Sequence, residues 1–154
     1  LVPTPPNNTT TFLRGDATFA VPAGGVDPVF GRVVRTAGSL TTTSTTLVDV
    51  TGATVTFTTG AFPVRYSAAQ SFQQSSSADV GFNVAIDGTL LHGTDGYVIN
   101  APTVNTRGAS FSGQTAVLTA SAHTIKLQFY VSAGTVTLLA NTSINHMFAA
   151  EEIR

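Results

Sequence analysis

The stretch Thr124-Ile125-Lys126-Leu127-Gln128-Phe129-Tyr130-Val131-Ser132-Ala133-Gly134-Thr135 decides the fold class. Apolar residues at 125, 127, 129 and 131 alternate with Lys126, Gln128 and Tyr130, the period of two that puts one strand face in a core and the other outward. Ser-Ala-Gly then leads into a second β-rich segment, which predicts a hairpin with Gly134 in the left-handed conformation.

The same alternation recurs in Val55-Thr56-Phe57-Thr58 and in Phe82-Asn83-Val84-Ala85-Ile86, with Asp87-Gly88 as another turn signal. Short segments of this kind follow one another at spacings of roughly 8 to 12 residues, the pattern of a sandwich or barrel. Strands are expected near 30–36, 46–50, 53–59, 64–69, 80–86, 97–100, 110–118, 124–131, 135–140 and 145–153. The poorly patterned pieces 38–45, 70–79 and 88–108, with shorter turns at 120–122 and 141–144, read as loops. Phe57, Phe82 and Phe129 are core candidates. No stretch carries a helical period.

Composition agrees with strands and raises a question about the surface. The 154 residues are 42% hydrophobic but only 10% charged, with one lysine (Lys126), no cysteine and no tryptophan. A typical soluble domain has about 25% charged residues. Here 26 Thr, 12 Ser and 14 Gly supply polarity instead, and Thr and Val are β-branched. So few charges on so apolar a chain point to burial between copies. A net charge of −1 without a basic cluster argues against nucleic acid. No apolar run approaches the roughly 20 residues that span a bilayer, so membrane insertion is not expected. The opening at Leu1 in a Pro/Asn/Thr tract suggests a piece of something longer.

Residues 1–28 differ in kind from 29–154. They hold five of the seven prolines, Pro3, Pro5, Pro6, Pro22 and Pro28, and read as an extended stem. Within it, Thr11–Val21 forms an apolar island around Phe12, Leu13 and Phe19. So short a segment cannot bury its own aromatics, which must pack on the body or on copies of themselves. Arg14-Gly15-Asp16 reads as a tight turn within this island rather than as an adhesive tripeptide.

Catalytic and metal signatures are scarce. His92, His123 and His146 stand apart without metal-ligand spacing, and His123 fits a side chain held by hydrogen bonds at a sheet end. Asp87 and Asp95 flank His92 in a loop too poor in oxygen ligands for calcium, so Asp87 is expected to form a turn. Glu151 and Glu152 are adjacent and point to opposite faces, which rules out an acid pair. Ser110 and Ser112 lack the G-x-S-x-G frame, and there is no P-loop and no G-x-G-x-x-G. No enzyme, cofactor or metal is therefore expected from one chain. A metal on a symmetry axis would first involve His146.

Thr11-Phe12-Leu13-Arg14-Gly15-Asp16-Ala17-Thr18-Phe19-Ala20-Val21-Pro22 resembles the "FLRGDGTW" element of bacteriophage tail fibres and related virion fibres, departing from it at Ala17 and Phe19. The body is similar in layout to the trimeric jelly-roll heads of the C1q and tumour-necrosis-factor type. These resemblances imply an all-β jelly-roll β-sandwich, preceded by a short extended stem, in a homotrimer with Phe12, Leu13 and Phe19 at the interface. They also imply a place in the virion beside other fibre or baseplate proteins, and a bacterial surface glycan or protein as receptor. Tyr97, Asn100, Asn105, Arg107 and Asn141 are the receptor-binding candidates, because an aromatic near amides and a guanidinium suits a sugar. With both termini at the stem end, a strand count backward from Arg154 puts 141–144 and 120–122 at the far tip. The alternatives are a trimerisation, capping or capsid-decoration domain that binds no receptor, or a polysaccharide depolymerase, for which the chain lacks an acid pair.

Overall fold

The computed structural model describes residues 12–13, 19–20, 30–101, 105–140 and 146–154, and these hold strands and no helix. Two short strands, β1 (Phe12–Leu13) and β2 (Phe19–Ala20), pair antiparallel with Leu13 opposite Phe19. Their side chains and residues 14–18 lie outside the described residues, so the expected trimer contacts and the Arg14-Gly15-Asp16 turn are not placed.

The body is built from β3 (Phe30–Arg35), β4 (Leu40–Thr42), β5 (Val48–Thr58), β6 (Val64–Gln74), β7 (Ala78–Ile86), β8 (Thr89–Leu90), β9 (Tyr97–Ala101), β10 (Arg107–Gln114), β11 (Ala122–Val131), β12 (Val136–Leu138) and β13 (His146–Glu152). Among the described residues its eleven strands occupy eight rows, because three rows are interrupted. β12 and β13 lie end to end along one side of β6: Leu138 pairs with Phe72 and Met147 with Ala69. On their outer side β3 and β4 are end to end in the same way. β8 and β9 share one side of β7.

Counting rows along the chain, one sheet runs first, eighth, third, sixth (β3/β4, β13/β12, β6, β10) and the other second, seventh, fourth, fifth (β5, β11, β7, β8/β9). That interleaving of two four-row antiparallel sheets is a jelly roll, in which successive rows mostly cross from sheet to sheet. The resemblance drawn from the sequence holds at the level of fold.

Inward-facing residues of both sheets make one core. Val64, Phe72, Val80, Phe82, Ile125, Leu127, Val131, Val136 and Leu138 are solvent-free. Phe82 lies at its centre, 5.8 Å from the Phe72 ring and 6.0 Å from the Phe111 ring. Phe57 and Phe129 are buried as expected.

Four expectations need correction. Gly134 takes the left-handed conformation (φ 72°), but 131–135 is not a hairpin: β11 belongs to one sheet and β12 to the other, so the turn crosses the sandwich. The stretch 70–79 is not a loop, since β6 runs on to Gln74 and only Ser75–Ser77 intervenes before β7. Its buried positions include Gln70 and Gln74, whose polarity hides the alternation. The expected strands 46–50 and 53–59 are one strand, β5. An irregularity at Thr51-Gly52, with Gly52 at φ 81°, puts two successive residues outward and breaks the period.

The fourth correction concerns the tip. The 120–122 turn lies at the end where the termini emerge: Thr59 donates to the Ser121 carbonyl at 3.1 Å, and Ile153 donates to the Pro63 carbonyl at 2.9 Å. The backward count assumed that the chain reverses between 135–140 and 145–153, whereas β12 and β13 run in the same direction. The end remote from the termini carries the 43–47, 75–77 and 132–135 connections.

Candidate functional site

Two of the five receptor candidates, Tyr97 and Asn100, lie on opposite faces of one strand. Tyr97 faces inward, stacked on Phe111 at 4.6 Å and against His92 at 4.5 Å, with its hydroxyl donating to the Ser112 carbonyl at 3.3 Å. Asn100, an odd number of residues along the same strand, faces outward and donates to Asp79 Oδ1 at 2.7 Å. Asn105 is exposed and Arg107 is half-buried at the start of β10, both toward the remote end. Asn141 lies outside the described residues. Tyr97 is thus held as a packing residue, and the alternation of β9 separates it from Asn100.

The histidines are held as hydrogen-bonded structural groups. Tyr66 hydroxyl and His92 Nε2 are hydrogen-bonded, and burial pushes the phenol above and the imidazole below their ordinary ranges. His146 faces the interior, with Nδ1 on the Gln70 side-chain carbonyl and Nε2 on the Leu139 carbonyl. Among the described residues no three His, Asp or Glu side chains converge as metal ligands.

His123 takes part in an arrangement that looks catalytic. Its Nδ1 donates to Asp87 Oδ2 at 2.6 Å, and Ser121 Oγ stands 3.1 Å from its Nε2. This is the Asp-His-Ser order of a nucleophilic triad. The chemistry does not follow, because Nε2–H also donates to the Thr119 carbonyl at 3.0 Å. The Asp87 carboxylate, and then the Thr119 carbonyl, raise the imidazole pKa and favour the cation. With Nδ1 donating to Asp87 and Nε2 to the Thr119 carbonyl, neither ring nitrogen presents a lone pair to take the Ser121 proton. Asp87 (φ 49°) and Gly88 (φ 84°) form the expected two-residue turn between β7 and β8, which the Asp87–His123 pair clamps to β11.

A different place has the shape of a binding site. On the outer face of the β5-β11-β7 sheet an open groove of about 440 Å³ runs between Thr45–Leu47 and the Thr94-Asp95 turn, floored by Gln128 and Tyr130. Both walls are braced. Ser44 Oγ donates to the Thr46 carbonyl at 2.6 Å, and Val131 donates to the Ser44 carbonyl at 3.0 Å. The 91–96 segment is held by Leu91 donating to the Val84 carbonyl at 2.9 Å and by solvent-free Asn83, whose Nδ2 donates to the Gly93 carbonyl at 2.6 Å. Gly96 (φ 63°) closes this segment where a Cβ would stand 2.2 Å from the Phe82 carbonyl oxygen.

The floor depends on a second glycine. Tyr130 pairs with Gly81, and a Cβ at Gly81 would lie 1.9 Å from Tyr130 Cε1, so the ring covers the bare backbone. Burial, then the charges of Asp95 and Asp79, push its phenol pKa up and keep the hydroxyl protonated. Gln128 Nε2 donates to Asp49 Oδ1 at 2.8 Å, and Asp49 also accepts from Lys126 at 2.7 Å. The sequence reading located the 38–45 and 88–108 loops but missed Gln128 and Tyr130. Their signal was present in the outward positions of the best-patterned strand.

No family model and no curated protein matches this sequence. Solved structures do. T=1 particles derived from infectious bursal virus match with a TM-score of 0.50 at 11% identity, over 98% of this chain and 40% of that one. The likeness is one of fold. Dimeric latent PorU of Porphyromonas gingivalis matches with a TM-score of 0.44 at 10% identity over 82% of this chain and 13% of its own. The insecticidal delta-endotoxin Cry8Ea1 of Bacillus thuringiensis gives 0.39 at 17% identity over 82% and 20%. The chain spans less than half the length of each of these structures.

Proposed function

We propose that this chain is the C-terminal head of a homotrimeric virion fibre of the bacteriophage tail-fibre type, which attaches the particle to a bacterial surface glycan or protein. One observation carries the reading. The fibre-like element at Thr11–Pro22 directly precedes a jelly roll whose first and last strands, β3 and β13, are paired, with Phe30 opposite Glu151. Both chain ends therefore leave from one end of the sandwich. A stem joined there would present the 43–47, 75–77 and 132–135 turns outward, all of them without a charged residue.

Further support comes from the outer face of the β6 sheet. There Ser67, Ala69 and Ser71 of β6 lie beside Ser112, Ser110 and Gly108 of β10, while Met147, Ala149 and Arg32 flank them on the other side and the charged pair Arg65–Glu151 (3.0 Å) stands toward the terminal end. The uncharged small-residue patch of β6 and β10 suits burial between copies, in keeping with the sparse charge of the whole chain. Three weak sites on one rigid stem would raise effective affinity by roughly 10² to 10⁴ on a repetitive surface. The likeness to a viral particle protein supports a virion setting for the fold.

The test is adsorption of the fluorescently labelled chain to a panel of bacterial strains. Saturable adsorption to at least one strain, competed by that strain's own surface polysaccharide or outer-membrane fraction, is expected. No adsorption to any strain would overturn receptor binding in favour of a capping or decoration role.

A further inference from the structure

We infer that the groove floored by Tyr130 binds a neutral saccharide; this rests on the attachment reading above and assigns it a site and a ligand class. Thr45, Thr46 and Thr94 offer hydroxyls that donate and accept, Asp95 offers two acceptor oxygens, and Tyr130 combines an aromatic ring with a hydroxyl. Hydroxyl pairs on a pyranose match a carboxylate that accepts two hydrogen bonds, and the apolar face of a pyranose matches an aromatic ring. Among the described residues no lysine or arginine lines the groove, and Asp95 would repel an anion. Phosphorylated or acidic ligands are thereby disfavoured, and neutral polyols remain.

A second, independent observation concerns Gln128. Its Nε2 is committed to Asp49, while its Oε1 is buried and has no hydrogen-bond partner. Unsatisfied buried acceptors are uncommon in folded proteins, and a small turn of this amide, whose residue lines the groove, would bring its oxygen within reach of a ligand or water donor. The groove volume of about 440 Å³ lies within the roughly 300–1,000 Å³ of small-molecule sites. Its walls are preorganised by Ser44 on one side and Asn83 on the other, which lowers the ordering cost of binding. The Thr45–Leu47 wall belongs to the end remote from the termini, where a receptor would be met.

The test is a titration of the ¹⁵N-labelled chain with methyl pyranosides of the common neutral hexoses, neutral disaccharides, and glucuronic acid as the charged control. Amide shifts confined to Thr46, Asp95 and Gln128–Tyr130, with millimolar Kd for at least one neutral sugar, are expected. Asp95→Asn and Thr46→Ala, both at exposed positions, should each weaken that Kd at least five-fold with an otherwise unchanged spectrum. Tyr130→Phe should retain most binding because the ring stays. Absence of shifts with every neutral sugar, tighter binding of glucuronic acid, or an unchanged Kd in both surface variants would each overturn the assignment. Cell adsorption separates the two readings. Groove variants that adsorb like the parent chain overturn this site and leave attachment standing, whereas sugar binding in the groove by a chain that adsorbs to no cell leaves the site standing and overturns attachment.

Discussion

His123 Nδ1 and Asp87 Oδ2 stand 2.6 Å apart, an ion pair that fastens the β7–β8 turn to the first residues of β11. The imidazole is nearly buried and the carboxylate half-exposed. Asp87 is held below the ordinary carboxylate range first by the Thr124 amide and then by His123.

Stability should therefore depend on pH in a defined sense. The raised His123 pKa contributes stability that is complete below about 6.5 and lost as pH rises through the folded value. The lowered Asp87 pKa contributes above about 3.8 and is lost as pH falls through its folded value. This pair contributes most between about pH 4 and 6.5, a window in which the lowered His92 and His146 imidazoles act in the opposite sense, so its share is read as the difference in thermal unfolding between the parent chain and Asp87→Asn. Asp87→Asn keeps the turn residue but should bring the His123 NMR titration down toward 6.5, at a cost of roughly 0.2–1 kcal/mol for so exposed a partner. An unmoved titration would refute the pairing.

Gly81→Ala should displace the Tyr130 ring, since the added Cβ would meet Cε1 at 1.9 Å. A loss of about 1–3 kcal/mol in urea unfolding is expected, together with shifted Tyr130 resonances. Full stability and an unmoved ring would contradict the covering role of Tyr130.

Asn83→Ala removes a solvent-free amide that holds the Gly93 carbonyl and accepts from the Val84 amide at 2.8 Å. The expected cost is about 1–3 kcal/mol, with faster hydrogen exchange in 91–96 than in β11. Uniform protection would show that the loop is not pinned at this point.

Core and surface should differ sharply. Phe82→Ala empties the centre of the sandwich and should cost about 3–5 kcal/mol, whereas Val117→Ala, at 68% exposure, should stay within about 0.5 kcal/mol. Equal effects would displace Phe82 from the centre.

Much of this fold was legible because period-two alternation survives wherever inward positions are apolar, as in β11 from His123 to Val131. It failed where polar residues face inward, at Gln70 and Gln74, and where Thr51-Gly52 shifts the phase of β5. Strand pairing was not legible. Nothing local distinguishes a Gly134 turn that closes a hairpin from one that crosses between sheets, because the choice is made by the partners β6 and β7 far away in sequence.

The site was legible only in part, for a related reason. Loop composition pointed to the regions that hold Thr45, Thr94 and Asp95. Tyr97 attracted attention as an aromatic among amides, yet the inward phase of β9 packs it on Phe111. Tyr130 occupies the outward phase of β11, where only the pairing with Gly81 reveals that its ring covers bare backbone beside a groove.

Sedimentation equilibrium of the chain at micromolar concentration tests the fibre-head reading most directly. A mass three times the chain's 15.9 kDa is expected, and it should fall when Phe12 and Phe19 are replaced by serine. A monomer of 15.9 kDa that persists across the concentration range would contradict it.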